Sequence, residues 1–177
     1  MLIVEGLDNT GKTTLVQWIS EEYPQFEVQQ SIGNNHDLRM IRLQAHDESS
    51  LNRPLLLCDR SRLISEYVYN PVLKSRPIAY DLRDWLNMIG GFLTRPHLVI
   101  WMQRPMVDLL RTFDQRDQLG GVYERIPELE TQYKMTMAML GFFFLHANNG
   151  SAILQWELSL NLNDLKPFID IYLEAAL

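Results

Sequence analysis

The sequence predicts an α/β fold, a three-layer α/β/α sandwich around a parallel sheet of about five strands. Three observations predict it. Short apolar runs alternate with stretches of helical spacing along all 177 residues, the pattern of a parallel sheet covered on both faces. The first run, Leu2-Ile3-Val4, ends at a glycine and is apolar throughout, which suits a strand buried on both sides. A glycine-bounded turn, Gly6 to Thr13, then separates that run from the first helical stretch.

The elements follow in order. Thr13 to Tyr23 puts Leu15, Trp18 and Ile19 on one side, and Pro24 closes it. Phe26 to Gln30 reads as a weaker strand and Ser31 to Asn35 as a loop. Asp37 to Ala45 has apolar residues at 38, 41 and 45, a helical spacing. Pro54 to Cys58 is a second short apolar strand, and Leu63 to Tyr69 is expected to be helical. Tyr80 to Thr94 repeats at 82, 85, 86, 89 and 93, an amphipathic helix. Leu98 to Met102 is a strand between Pro96 and Pro105, and Met106 to Phe113 a helix. Asp114 to Ile126 is polar and glycine-containing, hence a loop or lid. Pro127 to Ala147 is the longest helix, with its proline in the first turn. Ala152 to Leu158 is a last strand and Asn163 to Ala175 a closing helix. Without a repeat, a low-complexity tract or a linker, residues 1–177 are expected to form one domain.

Composition narrows the function classes. Hydrophobic content of 46% and charged content of 21% are those of a globular protein. No apolar run approaches the roughly 18 residues of a membrane span. The N-terminus has no basic leader, and the single cysteine, Cys58, excludes an internal disulfide framework and fits a reducing cytoplasm. A net charge of −6 argues against a protein that coats nucleic acid electrostatically. Arginines gather nonetheless in two stretches, Arg53 to Arg62 and Arg104 to Arg125.

Gly6-Leu7-Asp8-Asn9-Thr10-Gly11-Lys12-Thr13 fits Gly-x4-Gly-Lys-Ser/Thr without a mismatch. Such a loop wraps backbone N–H groups, those of Asn9, Thr10 and Gly11 among them, around a phosphate, and glycine removes the Cβ that would obstruct the approach. Lys12 brings a point charge to the β- and γ-phosphates, and the Thr13 hydroxyl is placed for Mg2+. The following helix turns its positive end to the same place. Thr14 either supports the phosphate site or is simply the next helical residue. The position between a strand and an amphipathic helix predicts a P-loop NTPase fold, with ATP and Mg2+ as cofactors.

The acceptor side is sought at the second apolar strand, Leu55-Leu56-Leu57-Cys58-Asp59-Arg60. An acid there, beside the first strand, can orient a Mg2+ shell or take a proton from a hydroxyl. Arg60 can grip an anionic acceptor or the transferring phosphoryl group.

Glu5-Gly6-Leu7-Asp8 leading into Gly11-Lys12-Thr13-Thr14 resembles the opening of thymidylate kinases. The resemblance implies that Asp8 reaches the acceptor's sugar hydroxyl. Asp59-Arg60 resembles the family's Asp-Arg-aromatic motif, with Ser61 in place of the aromatic residue. Ser65-Glu66-Tyr67-Val68-Tyr69-Asn70 is similar to the segment that lines the nucleoside pocket, which implies that Tyr69 and Asn70 face the acceptor base. Arg95 to Met102 resembles a later Pro-Asp-Leu strand, with His97 in place of the acid. The family's lid then falls at about 112–126. With Asn9 rather than arginine after Asp8, the catalytic arginine is expected on the lid: Arg116 first, then Arg111 and Arg125, with Arg111 also a substrate ligand.

The chain departs from that family at the acceptor phosphate. The Arg-Glu-Pro-Gly loop after the second strand is replaced by Gln30-Ser31-Ile32-Gly33-Asn34-Asn35, which has no cation. The short span from Ser31 to Asp59 implies a shortened or missing helix. Arg39, Arg42 and Arg62 are the candidate substitutes. Three expectations follow. One is a nucleoside-monophosphate kinase acting on a pyrimidine deoxynucleotide. Another is a kinase for a hydroxyl on a deoxynucleoside or on nucleic acid, such as a hydroxymethylated pyrimidine in DNA. Asp59-Arg60-Ser61 resembles the Glu-Arg-Ser of deoxynucleoside kinases, and in this reading Asp59 is the general base. The last is a P-loop binding or switch protein. The helices at 80–94 and 127–147 carry apolar surfaces that serve core packing or a homodimer equally.

Overall fold

The computed structural model describes residues 1–7, 10–30, 38–50, 53–64, 82–95, 97–105, 151–157 and 159–177, with helical positions at 108, 134, 137, 138 and 141. Five strands, β1 (Leu2–Gly6), β2 (Glu27–Gln30), β3 (Leu56–Asp59), β4 (Leu98–Gln103) and β5 (Ala152–Glu157), form one parallel sheet in the order β2-β3-β1-β4-β5. The helices are α1 (Lys12–Glu22), α2 (Leu38–Ser50), α3 (Leu82–Leu93) and, after a short 3-10 turn at Leu162–Leu165, α4 (Lys166–Ala176).

β1 sits in the middle because it can. All five of its residues are buried, between β3 on one side and β4 on the other. Alternation then sorts its side chains. Leu2 and Val4 join Leu15, Val16 and Ile19 of α1 and Ile169 and Leu173 of α4 in one core. Ile3, beside Cys58 of β3, points to the opposite face. There Gln29 of β2 donates to Glu48 of α2 at 2.9 Å, and α3 packs on α2. Gly91 of α3 permits a close crossing, since a Cβ there would lie 3.0 Å from the Ser49 carbonyl.

Most expected elements appear within a residue or two of their expected bounds. The region before β3 is the exception. α2, expected over Asp37 to Ala45, runs for 13 residues and continues through Asp47-Glu48-Ser49-Ser50. Of these polar residues Glu48 is fully buried. Its carboxylate accepts from Ser61 Oγ at 2.7 Å and from the backbone N–H groups of Arg62 and Leu63 at 2.9 and 3.3 Å. Ser61 Oγ in turn accepts from Ile64 N at 3.4 Å. Glu48 thus caps, from another helix, the helical turn that follows β3. Of the expected helices and loop over 63–69, 106–113, 114–126 and 127–147, only residues 63, 64, 108, 134, 137, 138 and 141 fall inside the described residues, and all seven are helical.

Burial pushes the Glu48 carboxyl up to about 7, against the hydrogen bonds and the Arg62 charge that favour its ionised form. A pKa raised by folding stabilises the protein fully below pH 4.5, and that contribution is lost as the pH climbs through about 7. Wild type should therefore lose stability relative to Glu48→Gln between pH 5 and pH 8, by on the order of 2–3 kcal/mol. Urea unfolding of both proteins at the two pH values measures it; a gap independent of pH would refute the buried-acid account.

Candidate active site

The chain leaves β1 at its carboxyl end, beside the carboxyl ends of β3 and β4. In an open parallel sheet this is where ligands bind. Gly6 has φ 151°. A Cβ on it would lie 2.5 Å from the Met102 carbonyl oxygen of β4 and 2.9 Å from Thr10 Oγ1. No other residue fits. Thr10, 2% exposed, donates its hydroxyl to the Leu7 carbonyl at 2.9 Å and ties the loop to itself. Gly11, in the left-handed region at φ 90°, starts α1. The N-cap makes no side-chain bond to that helix start, and a helix start of this kind attracts anions.

Lys12 folds back into the loop and donates Nζ–H to the Leu7 carbonyl at 2.5 Å. The Thr13 hydroxyl donates to Asp59 Oδ2 at 3.4 Å, joining the start of α1 to the end of β3. Thr14 is exposed on α1. Arg60 follows Asp59 with φ 71°, the one non-glycine residue of positive φ among those described. A strained backbone of this kind costs roughly 1–3 kcal/mol and clusters at functional sites. The Arg60 N–H donates to the Val4 carbonyl at 3.0 Å, which holds the turn against β1. Its guanidinium lies 3.9 Å from Glu5 Oε1.

Glu5 is fully buried in β1. Burial pushes its carboxyl up to about 7, opposed by the charges of Arg60 and Lys12 and by the amides of Gly6 and Ser61. The sequence signals were an acid closing an apolar run (Glu5) and an acid in a polar helix end (Glu48); neither stood out as a site residue. Lys12, Thr13, Asp59 and Arg60 come together at the carboxyl ends of β1 and β3. Asp8, Asn9, Tyr69, Asn70, Arg111, Arg116 and Arg125 lie outside the described residues. Of the substitute cations, Arg62 is 4% exposed behind the Asp59–Arg60 turn, Arg42 is exposed on α2, and Arg39 lies in α2.

His97, in place of the family's acid, stands at the far edge. It is buried, stacked on Phe92 at 4.5 Å between centroids, and its Nε2 lies 3.0 Å from the Phe92 carbonyl. Burial pushes its imidazole down to about 4, so it is neutral at pH 7. A cavity of about 510 Å³ opens at that same edge, lined by Pro54, Leu98, Ala152, Phe168 and Tyr172. Arg53, Arg95 and His97 share its otherwise apolar wall, and neither the Gly6–Thr13 loop nor Asp59 lines it. Among the described residues no helix is long and apolar enough to cross a membrane.

No family model matches the sequence, and no curated protein matches it either. Solved structures do. The YorR protein of Bacillus subtilis, in complex with phosphorylated GDP, superposes with a TM-score of 0.60 at 14% identity, over 98% of this chain and 95% of that one. Deoxyadenosine kinase from M. mycoides gives 0.57 at 14% identity, over 99% and 100%. Thymidylate kinase from Candida albicans gives 0.55 at 13% identity, over 98% and 90%. The chain shares its fold with these structures. At such identities the likeness carries the fold, and the chemistry has to be argued from the residues.

Gly6→Ala, which drives a methyl into the Met102 carbonyl, should cost 2 kcal/mol or more. Thermal unfolding measures the loss, and an unchanged midpoint would contradict the described close approach.

Proposed function

We propose that this chain is an ATP-dependent phosphotransferase that moves the γ-phosphoryl group to a nucleoside monophosphate. The observation that carries the reading is the Thr13–Asp59 contact at 3.4 Å. Two hard oxygen donors meet where a P-loop kinase needs its metal, beside an uncapped helix start. These residues fit Mg2+, which when bound neutralises charge on the β- and γ-phosphates. Thr13 and Asp59 would hold it, directly or through water.

The remaining roles follow from position. The backbone N–H groups from Thr10 to Thr13 cradle the phosphates, and Lys12 exchanges the Leu7 carbonyl for their oxygens. Arg60 neutralises charge on the acceptor or on the group in transfer. With Asp59 committed to the metal and Glu5 wholly buried, neither of these two carboxylates is left to deprotonate a hydroxyl. A monophosphate arrives already ionised and needs no base. Asp8, Tyr69 and Asn70 as acceptor contacts, a lid arginine such as Arg116 or Arg111, and a pyrimidine deoxynucleotide as substrate rest on the resemblance to thymidylate kinases.

A second reading keeps the same ATP site and gives the phosphoryl to a hydroxyl of a deoxynucleoside or a nucleic acid, with Asp59 as base. The absence of any cation in residues 30–35 favours it. Labelled ATP offered with deoxynucleoside monophosphates, deoxynucleosides and duplex DNA separates the two. Label should appear in a nucleoside diphosphate; label only in DNA or in nucleosides would sink the first reading.

Lys12→Ala should lower turnover by about 100-fold or more. Asp59→Asn should be impaired at low Mg2+ and recover as Mg2+ is raised. A loss that no Mg2+ concentration repairs, and that is confined to hydroxyl acceptors, would make Asp59 the base instead.

A further inference from the structure

Neither phosphate binding nor transfer accounts for Glu5. Its side chain is 0% exposed in the central strand, where an apolar residue would fold at lower cost. Oε1 accepts from Gly6 N at 3.4 Å, and the Ser61 amide also favours the ionised carboxyl. No hydrogen bond reaches Oε2 from the described residues. Among the described residues two cations face this carboxylate: Arg60, 3.9 Å away at the end of β3, and Lys12 at the start of α1. Its neighbour on β4 is Trp101, which carries no charge. On β3, Cys58 is a thiol that burial keeps neutral, and Asp59 pairs with Val4 instead. Both cations that face Glu5 are therefore those assigned above to phosphate.

We propose that Glu5 is the exchangeable counter-ion of the phosphate cradle, balancing Lys12 and Arg60 while the cradle is empty and taking up a proton when a polyphosphate occupies it. The inference rests on the reading of Gly6–Thr13 as an ATP site. Its physical basis is that a buried carboxylate and a polyphosphate cannot share two cations in a medium of low dielectric without raising the proton affinity of one of them. Phosphate oxygens held by a metal, Lys12 and backbone N–H groups resist protonation. Glu5, which burial already holds at about 7, gives way first. One proton passes from solvent water to a Glu5 oxygen, and no bond to phosphorus forms or breaks. Nucleotide affinity is thereby tied to pH, and binds more tightly as the pH falls from 8 to 6.

Calorimetric titration of Mg-ATP into the protein at pH 7.5, in two buffers of different ionisation enthalpy, counts the protons. Wild type should take up roughly half a proton or more per nucleotide bound. Glu5→Gln should still bind and lose that uptake. Binding by wild type without proton uptake, or uptake unchanged in Glu5→Gln, would overturn the proposal while leaving the ATP site intact. No binding of Mg-ATP to folded wild type would overturn the ATP site and the proposal together. Should Glu5→Gln fail to fold, the slope of log Kd against pH for wild type between 6 and 8 gives the same proton count, and a flat line refutes it.

Discussion

At the carboxyl end of β1 the chain must turn out of the sheet within van der Waals reach of the β4 backbone. The Met102 carbonyl sits where a Cβ of residue 6 would be, 2.5 Å away. Only glycine lets β1 stay hydrogen-bonded to β4 as far as Met102 and still release the loop. Everything at the site hangs from that point. The loop closes on itself through Thr10, α1 begins at the left-handed Gly11, and its first turn reaches the end of β3 through Thr13. A larger residue at position 6 would push the loop away from β4 and with it the start of α1.

The second constraint is electrostatic. The short segment from Asp59 to Arg62 is held between two fully buried acids, Glu5 in β1 and Glu48 in α2. Glu48 receives the hydroxyl of Ser61 and two backbone N–H groups, and so fixes where the following helical turn starts. Glu5 faces Arg60 from the other side. Arg60 adopts a backbone conformation that an isolated arginine avoids, and its N–H bond to Val4 shows how it is kept there. Asp59, at the head of that segment, accepts from the Thr13 hydroxyl at 3.4 Å while Arg60 lies 3.9 Å from Glu5. Ser61, which departs from the aromatic residue of the thymidylate-kinase motif, is explained by the same contact: a ring has no oxygen to give Glu48.

Much of this was legible in the sequence. The apolar run Leu2-Ile3-Val4 ending in Gly-x4-Gly-Lys-Thr already spells a strand, a tight glycine-bearing turn and a helix. Asp59 and Arg60 stood out because they end an apolar strand. Glu5 and Glu48 did not, because what makes each important is a partner distant in sequence: Arg60 lies 55 positions beyond Glu5, and Ser61 13 beyond Glu48. The full length of α2 was hidden for a related reason. Asp47-Glu48-Ser49-Ser50 is polar throughout, and the tertiary contacts of Glu48 that sit within the helix do not show in composition. His97 shows the converse, a residue at a motif position whose burial against Phe92 gives it a packing role.

The account stands or falls on where a nucleotide's phosphates go. A crystal structure with Mg2+ and a non-hydrolysable ATP analogue tests it directly. The β- and γ-phosphates should lie on the N–H groups at the start of α1, with Lys12 Nζ moved from the Leu7 carbonyl to their oxygens. The metal should sit between Thr13 and Asp59. An analogue bound elsewhere, with Lys12 still on Leu7, would contradict it.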